Sequence, residues 1–146
     1  MKMDYIQSEL DEFLLYHKNY SNRIIHVLTG LIYMSCLNVL LYKGRFLVIY
    51  LIILLLTFPS IISSLLSVIS IYATTEIILK FKKTPLFSYI LISLFIICCF
   101  IVPEVSHYIT NEETVINIQS PVTKIVTNIF YFLPFSITSL IINKVK

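Results

Sequence analysis

The sequence predicts an all-α, multispan membrane helical bundle with an N-terminal amphipathic interfacial helix, on three observations. The first is composition: the 146 residues are 58% hydrophobic and 13% charged, with a mean hydropathy of +0.88. A water-soluble domain of this length cannot bury that much apolar surface. The second is that the apolar residues gather into runs of membrane-crossing length, enough for about four to five hydrophobic helices. The third is that charges collect in the short stretches between those runs. The net charge of +3 is small and dispersed, which argues against a nucleic-acid partner. The chain reads as a single membrane domain, 1–146, with membrane lipids as its surroundings, and no feature of it sets an oligomeric state.

The elements follow in order. Residues 4–17 form an amphipathic helix, because Ile6, Leu10, Phe13, Leu14 and His17 share one face of a 3.6-residue period while acids cover the other. The expected place for this helix is the membrane surface. The early acids Asp4, Glu9, Asp11 and Glu12 do not suit a cleavable signal peptide, so the first apolar run is expected to stay as an anchor. "KNYSN" (18–22) is a turn, with Ser21 or Asn22 able to cap the helix that follows. The spans are expected at about 24–42, 46–58, 61–79, 85–102 and 123–142. "KGR" (43–45) ends the first. Pro59 with Ser60, Ser63 and Ser64 divides 46–79 into two short helices that need not cross the full thickness. "KFKK" (80–83) closes that region, 104–121 is a polar connection holding His107, and Pro134 is expected to kink the last span.

Five spans sort the charges cleanly. Lys2, Lys18, Arg23 and Lys124 share one face with Asp4, Glu9, Asp11, Glu12, Glu104, Glu112 and Glu113. The other face holds Lys43, Arg45, Lys80, Lys82, Lys83, Lys144 and Lys146 and no acid, and the positive-inside rule directs it to the cytosol. The same count puts His17, His26 and His107 at one membrane face.

These are the only histidines in the chain. His17 ends one helix and His26 begins the next, so the turn between them can fold the rings together. His107, with Glu112 and Glu113 after it, can add a third nitrogen and a carboxylate. Histidines plus a carboxylate with open positions suit non-haem Fe(II) that activates oxygen. The plainer readings differ. A histidine at a membrane edge also suits the headgroup layer, as do Tyr16, Tyr20 and Tyr108. Glu112 and Glu113 suit a solvated loop. Glu76 suits an ordinary pair with Lys80 one turn on. Cys36, Cys98 and Cys99 lie in apolar runs and read as small hydrophobes. The Asn19-Tyr20-Ser21 sequon lies too close to the membrane for use.

"YHKNYSNRIIH" (16–26) resembles the N-terminal signature of the 2-hydroxy fatty acid dioxygenase family, small multispan proteins of the endoplasmic reticulum membrane. Tyr16, His17, Asn19, Asn22 and His26 match that signature in place and spacing, and Ser106-His107 with Glu112 is similar to the family's late Gly-His followed by an acid. Tyr20 stands where the family has Pro, Ser106 where it has Gly, and the acid comes one residue late, with Asn111 in its usual place. The resemblance runs over nearly the whole chain in the order of its parts. It implies an enzyme that uses Fe(II) and O2 to shorten a 2-hydroxy fatty acid by one carbon. It implies His17, His26 and His107 as catalytic metal ligands, with Glu112 as a further ligand or as an acceptor for an imidazole N–H. Tyr16, Asn22 and Arg23 are the candidate substrate contacts, with Lys18 or Arg23 facing the carboxylate. A family member without catalysis, acting as a lipid-binding or interaction protein, is the alternative. A small transporter is a third reading, opposed by the scarcity of ionisable groups inside the spans.

Overall fold

In a computed structural model the described residues are 3–41, 45–113 and 121–142. They form helices α1 (Met3–Tyr16), α2 (Tyr20–Leu40), α3 (Arg45–Thr57), α4 (Ile61–Leu79), α5 (Phe87–Ile96), α6 (Val102–Thr110) and α7 (Pro121–Ile142). No strand occurs among the described residues, so the predicted all-α class is the observed one. Lys2, Lys43, Gly44, Lys144, Lys146 and residues 114–120 of the predicted polar connection lie outside them. Helix α2 is central and packs on α4, α5, α6 and α7.

Among the described residues, three helical stretches are long and apolar enough to cross a membrane: Tyr20–Leu40, Ile61–Leu79 and Phe87–Thr110. Their outward faces carry Leu28, Ile62, Ile69, Ile92 and Phe100, all exposed, as a chain bathed in lipid requires. Helix α3 has 13 residues, a length of about 20 Å, which falls short of a hydrocarbon core about 30 Å thick. The turn between α3 and α4 falls at Pro59, and Ser60 caps α4 by accepting from the Ser63 amide at 3.2 Å.

Two prolines shape the helices that carry the site. Pro103 has no N–H and crowds the carbonyl four residues back. The chain meets it with a π turn over Ile97–Ile101, in which the Val102 amide donates to the Ile97 carbonyl. The helix therefore continues to Thr110 and carries His107 on its last turn, where the sequence suggested a polar connection after residue 102. Pro134 sits inside α7 and leaves the Phe130 carbonyl without its helical donor. The Tyr50 hydroxyl supplies that hydrogen bond at 2.7 Å, and the Tyr33 hydroxyl donates to the neighbouring Ile129 carbonyl at 3.0 Å. Both phenols are fully buried, so each carries its donor to a place water does not reach.

Helix α1 buries the face its periodicity marks: Ile6, Leu10, Phe13 and His17 are each less than 10% exposed. That face lies on the bundle itself, with the Phe13 ring against Phe132 and Phe135 of α7 at 6.1 and 5.7 Å. The apolar stripe is thus consumed by tertiary packing. Only the opposite face, with exposed Leu15 and acids, remains for the surroundings.

Candidate metal centre

The site forms where the α1–α2 turn meets the end of α6. His17 leaves α1, His26 sits in the second turn of α2, and His107 in the last turn of α6. Helices α3, α4 and α5 lie between those of His26 and His107 in sequence, and α2 and α6 bring the two rings together at one end of the bundle. The three rings lie 4.6, 4.7 and 5.1 Å apart between centroids. One nitrogen from each falls within 4.8 Å of the others, and all three side chains are buried.

The local chemistry prepares these nitrogens. His17 Nδ1 is 2.7 Å from the Phe13 carbonyl oxygen, which only accepts. The proton is therefore on Nδ1, and the lone pair is on Nε2, which has no hydrogen-bond partner among the described residues. Phe13 also stacks on the His17 ring at 3.8 Å and 10°, fixing its plane. Burial is the largest cause that moves the His17 pKa, and it lowers the value from 6.5 to about 4, against the raising effect of the Phe13 hydrogen bond. The imidazole is thus neutral at pH 7, as a ligand must be. His26 Nε2 faces His107 Nε2 at 3.3 Å, and His26 Nδ1 has no partner among the described residues. Imidazole nitrogens sharing one divalent ion stand about 3.0–3.4 Å apart, given metal–nitrogen bonds of about 2.1 Å. A buried set of three converging imidazole nitrogens fits a first-row transition-metal ion with positions left open. The three histidines can therefore hold a metal ion.

Glu112 lies just outside this group. Helix α6 ends at Thr110, and Asn111 takes the left-handed conformation (φ 53°, ψ 38°), a backbone that Asn tolerates well. That turn swings Glu112 back over the α1–α2 connection. One carboxylate oxygen accepts from the Lys18 and Asn19 amides at 2.5 and 2.6 Å, and the other accepts from Asn22 Nδ2 at 2.5 Å. Burial alone raises the Glu112 pKa. The hydrogen bonds from Asn19, Asn22 and Lys18 outweigh it and hold the carboxyl below its ordinary range. Asn22 Nδ2 also approaches His107 Nδ1 at 3.4 Å, so Glu112 reaches the histidines through Asn22. Glu113 is exposed, and with Glu104, Tyr108 and Glu112 it lines an open cleft of about 640 Å³.

The other predicted contacts are placed as follows. Arg23 is buried, its Nε donating to the His17 carbonyl and its Nη1 to the Ser139 carbonyl at 3.2 Å. Its guanidinium is thus engaged in holding the turn to α7. Lys18 is exposed and Tyr16 half-buried. Asn19, not Ser21 or Asn22, caps α2: its extended backbone lets its side chain accept from the Ser21 amide at 2.9 Å. Asn22 is thereby left for Glu112. Sequence reasoning missed Phe132, whose ring stands edge-on to His26 at 4.8 Å, and the Phe13 carbonyl that sets the His17 tautomer. Phe132 gives no signal, because it sits in a run of apolar residues and reaches the site only through the packing of α7 on α2.

Fold and site together define a helical protein of membrane type with a buried three-histidine centre at one end of the bundle. The chain matches no protein-family model, no curated protein and no solved structure.

Proposed function

We propose that this chain is a non-haem Fe(II) dioxygenase of the 2-hydroxy fatty acid dioxygenase family, set in the endoplasmic reticulum membrane. Its reaction breaks the C1–C2 bond of a 2-hydroxy fatty acid. The acid and O2 yield a fatty acid one carbon shorter, CO2 and water, so that the four electrons lost by the substrate reduce one O2. The observation that carries this reading is the convergence of His17, His26 and His107, from segments up to 90 residues apart in sequence, on one buried point. The match of residues 16–26 to the family signature supports it.

His17, His26 and His107 would hold the iron, which supplies electrons for oxygen chemistry and binding positions for the substrate hydroxyl and carboxylate. The Phe13 carbonyl keeps the His17 lone pair directed inward. Glu112 and Asn22 tie the α6 end to the α1–α2 turn and offset part of the metal's charge from a distance. The substrate carboxylate would meet Lys18, an exposed residue of the α1–α2 turn, while Arg23 stays on its backbone carbonyls. The acyl tail lies along the apolar outer surface near the site, where Val105, Tyr108 and Ile109 are exposed.

Anaerobic purification followed by metal analysis and incubation with a 2-hydroxy fatty acid tests the proposal. The expected result is about one iron per chain and oxygen-dependent formation of the acid shorter by one carbon. Iron without turnover would mark a lipid-binding member that has lost catalysis. Protein that takes up no transition metal overturns the reading.

A further inference from the structure

The three imidazoles of the centre are not set alike. A neutral imidazole carries one N–H, and the partners of its two nitrogens decide which one holds it. His17 donates from Nδ1 to the Phe13 carbonyl at 2.7 Å, which leaves Nε2 as a lone pair. His107 is set the other way. Its Nδ1 lies 3.4 Å from the side-chain nitrogen of Asn22, which donates and never accepts. That end of the amide is fixed from outside the histidines, because the same atom stands 2.5 Å from Glu112 Oε2, and an ionised carboxylate only accepts. The two hydrogens of the buried Asn22 amide thus serve Glu112 and His107. His107 Nδ1 is therefore the acceptor, and the hydrogen of His107 is on Nε2. It points at His26 Nε2, 3.3 Å away, which receives it as a lone pair.

A metal ion asks for the opposite at His107. A ring bound through Nε2 carries its hydrogen on Nδ1, where metal-bound histidines ordinarily meet an acceptor. Here that hydrogen would meet the Asn22 N–H, donor against donor. Turning the amide end for end relieves the conflict at His107 but sets oxygen against the Glu112 carboxylate, so the turn parts Asn22 from Glu112. We propose that the Asn22 amide is a gate on the metal centre: it holds His107 on His26, and His107 becomes a ligand only when the amide turns and leaves Glu112. This rests on the three-histidine metal site of the proposed function and adds an order of assembly. His17 and His26 already have Nε2 as a lone pair and take the ion first, and His107 joins last. Glu112 keeps the Lys18 and Asn19 amides throughout, so the α1–α2 turn stays held. Asn22 is a positioning residue, because it acts on the ion through His107.

The test follows the histidine tautomers of wild-type protein in detergent, stripped of metal and then titrated with Zn2+. Long-range nitrogen–proton NMR of isotope-labelled histidine reports which nitrogen of each ring carries the hydrogen. The chain has three histidines, so three patterns result, and His107→Ala identifies that of His107. Before Zn2+ the His107 hydrogen is expected on Nε2, and Zn2+ is expected to move it to Nδ1. A hydrogen on Nδ1 before metal, or on Nε2 after it, overturns the gate, while bound Zn2+ leaves the dioxygenase reading standing. Protein that takes up no Zn2+ overturns both. Asn22→Leu gives a second readout, in which a gate and a mere brace have opposite signs. Freed of the N–H that opposes ligation, the variant is expected to bind Zn2+ about tenfold more tightly than wild type. A brace predicts weaker binding, and equal or weaker binding by the folded variant overturns the proposal. The wild-type tautomer measurement decides without any variant having to fold.

Discussion

Two polar clusters lie inside this apolar bundle, and they are built differently. Between α2, α4 and α7, small polar side chains join the helices. Asn38 Nδ2 donates to Thr75 Oγ1 at 3.0 Å, Ser35 Oγ to the Ile71 carbonyl at 3.3 Å and Thr138 Oγ1 to Ser63 Oγ at 2.7 Å. Among the described residues almost every group there has found a partner, and Asn38 Oδ1 is left over. At the histidine end the Glu112 carboxylate is tightly paired, while among the described residues His17 Nε2, His26 Nδ1 and Asn22 Oδ1 have no partner. Saturated polar groups in a membrane bundle act as joints between helices. Imidazole nitrogens that converge, and whose supports are themselves saturated, make a binding site.

The largest expected contrast comes from the histidines. Replacing His17, His26 or His107 with Ala should remove most bound metal, measured as metal per chain after desalting, because two imidazoles compete poorly with water. Thr75→Val, in the other cluster, should leave metal content unchanged. If all four variants hold metal alike, the difference between the clusters is only apparent.

Next in size is the carboxylate that supports the site. Glu112→Gln removes the charge that gathers the Lys18 and Asn19 amides, and should lower metal affinity about 10- to 100-fold. Glu113→Gln, in an exposed residue, should change it little. Equal affinities for the two would mean that the Glu112 cradle does not position the histidines.

The pH response should also be confined to the histidine end. In metal-free protein the His17 pKa is lowered by burial from 6.5 to about 4. The folded state then binds fewer protons than the unfolded state between those values. Its contribution to stability is present above pH 6.5, falls as pH drops toward 4 and is gone below that. Glu112, also lowered, loses its contribution at more acid pH, as the carboxyl takes up its proton. Thermal unfolding in detergent should show the loss between pH 6.5 and 4, and His17→Phe should reduce it. Bound metal should survive below pH 6, because protons displace it from His17 only near the lowered pKa.

The smallest effects belong to the joints. Tyr50→Phe leaves the Phe130 carbonyl without a donor beside Pro134 and should cost about 1–3 kcal/mol. Asn38→Leu breaks the hydrogen bond to Thr75 and should cost about 0.5–2 kcal/mol. Unfolding midpoints measure both, and metal content should stay at the wild-type level. Metal loss in Asn38→Leu would show that the two clusters are coupled through α2.

Much of this protein is determined by sequence alone, because its strongest signals are local. Long apolar runs, the turn at Pro59 and the 3.6-residue stripe of Ile6, Leu10, Phe13 and His17 each depend on neighbours a few residues apart. Counting the runs also puts His26 and His107 at one end, since an even number of passes returns the chain to the side it left. The continuation of the helix past Pro103 was not legible, because a π turn answers the proline locally and composition carries no sign of it. What covers the amphipathic face of α1 was not legible either, since lipid and α7 are both apolar. The tertiary structure alone decided what Glu112 does. Its carboxylate meets the amides of Lys18 and Asn19 across more than 90 residues of chain. An acid next to a histidine in sequence can be a ligand or a brace, and only the folded path of the backbone separates the two. Here the left-handed turn at Asn111 aims it at the α1–α2 connection.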